Sequence, residues 1–320
     1  MGMANLDLLC SFAHRFPLLA AALLDRDQHK RRNFREESIT DILMAGLVPF
    51  EPFGIHVDFP RDESVTGEDM DWEFVNEKAT DGRRYLRLHI QAKRAITNNS
   101  KRNPYWYYRE LDHALLPPVA SGKGGAAGTS TSTAPTKLYG QQHTTLINEA
   151  AKTPGCVPIY MLYNPGAAEE ARNGKLPAVE GVNWIFADKI PKKVTIGRWP
   201  VAEKKLTKLR PHFHPLQELL CFGHGKVFRF PTNGATGFTL LYEQSGCPTP
   251  AELSDRLNRL RAPVDDSAEA LNTIAAAEDI PVLTLEAIRS ARGGRKGLAD
   301  IPRPRIIFNS SGLEFEHLRS

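Results

Sequence analysis

Three separated segments carry side chains whose types could serve one reaction. GEDMDWEF, Gly67 to Phe74, places an acid at the start of an alternating run. IQAKR, Ile90 to Arg94, sets Gln91 and Lys93 two residues apart, and REESITDIL, Arg35 to Leu43, offers Glu36 and Glu37. Phosphodiester hydrolysis needs one or more divalent cations to polarise the phosphate and activate a water. Mg²⁺ favours hard oxygen ligands, one or two of them carboxylates. A lysine beside it can orient the attacking water or stabilise charge building on phosphorus. A strand-end acid, a second ligand and a lysine on a paired strand, and a glutamate from a nearby helix would supply these parts.

The elements that must position them are legible as periodicities. In LRLHIQAKR, Leu86, Leu88, Ile90 and Ala92 fall on one face and Arg87, His89, Gln91 and Lys93 on the other, the pattern of a half-buried strand. DMDWEFV (69–75) alternates likewise, and Asp81-Gly82 in the intervening NEKATDGRR supplies a turn. These predict an antiparallel hairpin with Asp71 opposite Gln91, Asp69 opposite Lys93 and Glu73 opposite His89; a two-residue slip would keep the same faces. A helix over 35–47 carries an apolar stripe of Ile39, Ile42, Leu43, Gly46 and Leu47. Glu36 lies on its border, whereas Glu37 points more toward solvent.

With these residues in order, the pattern E…GxD-hydrophobic…QAK resembles the restriction-endonuclease-like PD-(D/E)xK nuclease superfamily, closest to its Mrr-type branch with glutamine in the last motif. REESITDI, TGEDMDWEF and IQAKR also resemble an uncharacterised bacterial domain-of-unknown-function family with this core. The resemblance covers roughly residues 33–164. It implies an α/β fold: a restriction-endonuclease-like core, a mixed central sheet with flanking helices, plus a C-terminal α+β extension. Carried over by position, the strand-end acid is Asp69, one residue after Gly67 and Glu68, with Asp71 as the fallback. Gln91 takes the metal-proximal place through its amide oxygen, Lys93 is the catalytic lysine, and Gln142, beside Gln141, is the candidate for a helical glutamine. The implied activity is a Mg²⁺- or Mn²⁺-dependent endonuclease, with Asp69, Gln91 and Glu36 as metal ligands. DNA is the implied substrate, defence against foreign DNA the setting, and a homodimer or a partner protein of a defence system the assembly. The alternative is a non-cleaving nucleic-acid-binding or scaffold protein that keeps the fold.

The rest of the chain sets bounds. Across 320 residues, 41% hydrophobic and 24% charged content is the balance of a soluble globular protein, and a net charge of +4 is too mild to argue for nucleic acid by itself. Four cysteines (Cys10, Cys156, Cys221, Cys247) do not look like a disulfide framework, which favours a reducing cytoplasm. FPLLAAALL, 16–24, is too short to span a bilayer and reads as a core-packing helix, so no membrane association is expected.

Residues 1–200 are expected to form the core, with a flexible Gly/Ser/Thr-rich loop at about 117–136, and 201–320 the extension. Further strands are expected at 157–164, 183–188, 226–230 and in PRIIFNS, and helices at 139–152, 251–262 and 267–278. Lys101, Arg102, Tyr105 and Trp106 could hold phosphates and stack on bases, although packing at a helix start explains them too. HFHPLQELLCFGH holds His212, His214, Cys221 and His224, potential zinc ligands at a spacing that matches no strong zinc pattern.

Overall fold

Helix α1 (Leu8–Asp27) opens the computed structural model, which describes residues 8–27, 34–59, 69–98, 104–112, 140–190, 198–222, 224–229, 239–244, 247–261, 273–292, 301 and 303–311. It is followed by α2 (Glu36–Leu47), β1 (Ile55–Asp58), β2 (Asp69–Val75), β3 (Tyr85–Arg94), β4 (Ile96–Thr97) and β5 (Trp106–Tyr107). Then come α3 (Gln141–Lys152), β6 (Cys156–Tyr163), β7 (Val182–Phe186), α4 (Leu206–Leu209), β8 (His214–Pro215) and α5 (Gln217–Leu220). The chain closes with β9 (His224–Arg229), β10 (Thr239–Gln244), α6 (Pro250–Arg261), α7 (Val282–Arg292) and β11 (Arg305–Asn309). The result is a mixed α/β architecture with helices flanking a mixed central sheet.

Among the described residues, seven strands form that sheet in the order β1-β11-β2-β3-β6-β7-β8. The β11–β2 and β3–β6 pairs are parallel and the others antiparallel. Gly54, at φ +87°, leads into β1, where an added Cβ would stand 2.5 Å from the Asn309 carbonyl oxygen of β11. The sheet therefore draws strands from residues 1–200 and from 201–320 alike.

The β2–β3 hairpin has the expected faces but not the expected register. Asp69 pairs with Gln91, Asp71 with His89 and Glu73 with Arg87, two residues away from the pairing read from charge complementarity. Either register keeps apolar against apolar, so alternation alone does not choose between them.

One face of the sheet buries Met70, Trp72, Phe74, Leu86, Leu88, Ile90 and Ala92 against α1, α2 and α6, as the alternation requires. The opposite face is covered too, which a half-buried reading does not anticipate. Val75, Tyr85 and Ile307 pack on Ile288 of α7. Tyr160, Leu162 and Ile185 pack with Leu146 of α3, Tyr108 and Trp199. Glu73, His89, Gln91 and Lys93 share this covered face and are buried among partners rather than washed by solvent.

Two further expectations need correcting. A helix over 267–278 is not formed where the chain is described: 273–276 has no regular structure, and Ala277 bridges to Tyr85. Residues 267–272 lie outside the described residues, as does the loop at about 117–136. The cysteines are not all reduced, because Cys10 and Cys221 form a disulfide; Cys156 and Cys247 are free. Of α1, one side is buried through Leu9, Ala13, Phe16, Ala20 and Leu24, while Leu18 and Leu19 are exposed. Among the described residues, no helix is long and apolar enough to cross a membrane.

Candidate functional site

Near the C-terminal end of β3, Gln91 and Lys93 are each 1% exposed. Burying an ammonium group is costly unless hydrogen-bonding partners replace its water. Lys93 Nζ donates to Gln142 Oε1 at 3.4 Å, so the first turn of α3 meets the lysine. Across the sheet, Gln91 has Asp69 of β2 as its backbone partner on one side and Tyr160 of β6 on the other. The Asp69 side chain lies outside what the structure describes. The next residue of α3, His143, contacts the same strand, its Nδ1 3.2 Å from Tyr160 Oη.

Glu36 approaches from α2. Its Oε1 accepts a hydrogen bond of 3.3 Å from the backbone N–H of Arg94, the residue after Lys93. The Arg94 guanidinium in turn donates to the Phe34 carbonyl oxygen just ahead of the helix. Glu36 thus leans toward the lysine end of β3, as its place on the apolar border predicts. Glu37 does not simply face solvent: its Oε2 is buried, with no hydrogen-bond partner among the described residues.

Asp71 is drawn elsewhere. Because it faces His89 rather than Gln91, its Oδ1 lies 2.6 Å from His89 Nδ1, and its Oδ2 lies 3.8 Å from Arg87 Nη1. Arg303 Nη1 is 3.1 Å from His89 Nε2, and Arg303 Nη2 donates to Glu149 Oε2 at 3.1 Å. These contacts fit an imidazole that donates from Nδ1 to the Asp71 carboxylate. Burial pushes the Asp71 carboxyl up, but the His89 bond and charge, with Arg87 and Arg303, hold it below its ordinary value. One pair further along, burial raises the Glu73 carboxyl, which the Thr284 hydroxyl and Arg305 oppose only in part.

The sequence reading missed His89, Arg87, Arg303 and Glu149 as members of one network. Alternation did place His89 and Arg87 on the Gln91 and Lys93 face. Nothing local to Arg303 or Glu149 signals that they converge there from separate parts of the chain.

Of the proposed nucleic-acid contacts, Lys101 and Arg102 lie outside the described residues. Tyr105 and Trp106 are half-buried: Lys205 Nζ stands 4.3 Å from the Tyr105 ring centre, and Trp106 packs against the core over β6 and β7. Tyr108 is wholly buried and donates to Asn164 Oδ1 at 2.6 Å. The aromatic run forms the short strand β5 rather than a helix start, and a 3₁₀ turn over Arg109–Asp112 follows it. His214 stacks on Trp184 at 4.5 Å, where burial lowers its pKa to about 4.

The fold and this buried polar strip define a mixed α/β protein whose sheet carries a lysine and a glutamine at one strand end, met there by a glutamine of α3 and a carboxylate of α2. The chain belongs to a family of unknown function, DUF6615, whose model matches residues 9–311. No curated protein and no solved structure matches it.

Proposed function

We propose that this chain is a metal-dependent nuclease built on a restriction-endonuclease-like core, with DNA as its substrate and defence against foreign DNA in the cytoplasm as its setting. The observation that carries the reading is the buried Lys93, bonded to Gln142 and sharing its strand face with Gln91, while Glu36 binds the adjacent amide. A lysine held dry in this way matches a group that meets a phosphate better than one that decorates a surface.

The donor set suits Mg²⁺ or Mn²⁺, since Glu36, Gln91 and Asp69 offer only oxygen ligands. The Arg94 bond fills one of the several acceptor positions on the Glu36 carboxylate. When bound there, such a cation would polarise the phosphodiester and lower the pKa of a water. The chain's own part is to orient. Lys93 donates toward the phosphoryl oxygens or the attacking water, Gln142 fixes the direction of its ammonium group, and α2 presents Glu36 at the neighbouring Arg94 amide. Cutting both strands would pair two such sites, in a homodimer or with a partner protein.

A second reading, a nucleic-acid-binding or scaffold protein that does not cut, is favoured by one observation. Asp71, the reserve carboxylate, is engaged by His89 and Arg87, and with neutral Gln91 the set holds few anions.

The two separate in one experiment: the pure protein with plasmid, single-stranded DNA or RNA, each with Mg²⁺, Mn²⁺ or chelator. The nuclease reading expects metal-dependent cleavage that falls at least ~100-fold in Lys93→Ala, with DNA binding retained. Binding without cleavage under every condition would leave the second reading standing.

A further inference from the structure

On α1, Cys10 and His14 lie four residues apart and so share one face of the helix. Cys221 follows α5 directly, and α1 packs on α5. Two sulfurs and an imidazole nitrogen come within 4.8 Å of one another, the half-buried cysteines beside an exposed histidine. Among the described residues this is the group of three metal-ligating side chains that the fold assembles. The spacing in HFHPLQELLCFGH suggested a different set. Cys221 instead finds its partners on α1, over two hundred residues earlier.

We propose that Cys10, His14 and Cys221 form a Zn²⁺ site when the disulfide between the two cysteines is reduced. The inference is independent of the nuclease reading. Two electrons and two protons from a dithiol or phosphine reductant convert the disulfide to two thiols. Metal binding then releases the two thiol protons and leaves two thiolates and one neutral imidazole on Zn²⁺. Thiolate and imidazole are the ligands this ion favours, and three protein ligands leave a fourth position for water. In forming the site, the sulfurs separate to the roughly 3.7 Å of two thiolates on a tetrahedral ion.

The surroundings suit a ligand histidine. Gln217 Nε2 lies 3.1 Å from His14 Nδ1 and donates to Glu180 Oε2 at 3.4 Å. The other atom of that amide, Oε1, is buried with no hydrogen-bond partner among the described residues. Turning the amide over, at the expense of its bond to Glu180, presents an acceptor to an Nδ1–H, the outer contact that orients a histidine bound to metal through Nε2. The site would hold α1 to α5 in the reduced protein as the disulfide does in the oxidised one.

The test uses the full chain, reduced with a phosphine and freed of reductant without oxygen, then titrated with Co²⁺ and afterwards Zn²⁺. One equivalent of Co²⁺ should bind with a sulfur-to-cobalt charge-transfer band that Zn²⁺ removes. Oxidised protein should lack the band, and so should C10S and C221S. H14A should bind at least about 10-fold more weakly. No thiolate band in reduced protein, or the same band in C221S or in the oxidised form, overturns the proposal and leaves the pair a disulfide only. Should both cysteine variants fail to fold, H14A decides, because His14 is exposed; an unchanged spectrum and affinity there also overturns it.

Discussion

His89 is 1% exposed and meets Asp71 on one side and Arg303 on the other, so each of the three depends on its neighbour for the solvation it has given up. Asp71 is the member whose protonation has a direction. Although burial raises its carboxyl, the His89 bond and the surrounding positive charges carry it below 3.8. A carboxyl lowered in the folded state adds stability above its unfolded pKa and loses it as the pH falls through the folded value. Asp71→Asn is therefore expected to cost about 2 kcal/mol near neutrality, with the deficit shrinking once the pH drops below 3.8. Glu73, raised by burial, works in the opposite sense, gaining as the solution becomes more acid. The quantity to follow is thus the difference between variant and wild type in urea unfolding at the two pH values. A deficit that stays constant into acid would mean that the Asp71 charge does not contribute.

Elements meet through close approaches that the sequence does not announce. A Cβ on Gly181, at the entry to β7, would lie 1.9 Å from the Pro17 carbonyl oxygen and 2.8 Å from Ala21 Cβ, so α1 rests directly on backbone there. Gly181→Ala should force α1 away and cost about 3 kcal/mol, read as a lower denaturant midpoint at unchanged slope. A wild-type midpoint would show that α1 moves freely. Element positions were legible where a single local pattern decided them: α2, β2, β3 and β6 begin and end within one or two residues of the expected bounds. Two features decided by tertiary partners were not. The β2–β3 register depends on Asp71 finding His89 rather than Gln91, a choice made jointly with Arg303 and Glu149. Over its described part, 273–278, the helix suggested by SAEALNTIAAAE is overridden because other groups take the backbone. Asn258 donates to and accepts from Ile274, Ser254 donates to its carbonyl oxygen, and Ala277 exchanges hydrogen bonds with Tyr85. Helix propensity amounts to a few tenths of a kcal/mol per residue and gives way to such contacts.

At the scale of the molecule, the question is whether the first 200 residues are a unit. That PRIIFNS is a strand could be read from its composition; that it enters the sheet between β1 and β2 could not, because strand order is set by packing across distant segments. β11 lies between β1 and β2, pairs with both, and buries Ile306 and Phe308 in the core shared by α1 and α2. Phe308 stacks on Phe74 at 4.6 Å, and Arg305 Nε donates to Asp58 Oδ2 at 2.8 Å. Without β11, the facing edges of β1 and β2 would present unpaired backbone groups, and the Trp72 and Phe74 side chains would lose their neighbour. The segment 1–200 expressed alone is therefore expected to lack a cooperative unfolding transition. Supplying 201–320 as a separate chain should restore it if the two halves can still interleave. Calorimetry on the fragment, the full chain and the mixture decides: a sharp endotherm from 1–200 alone would make the C-terminal part a true appendage, and the strand it inserts dispensable.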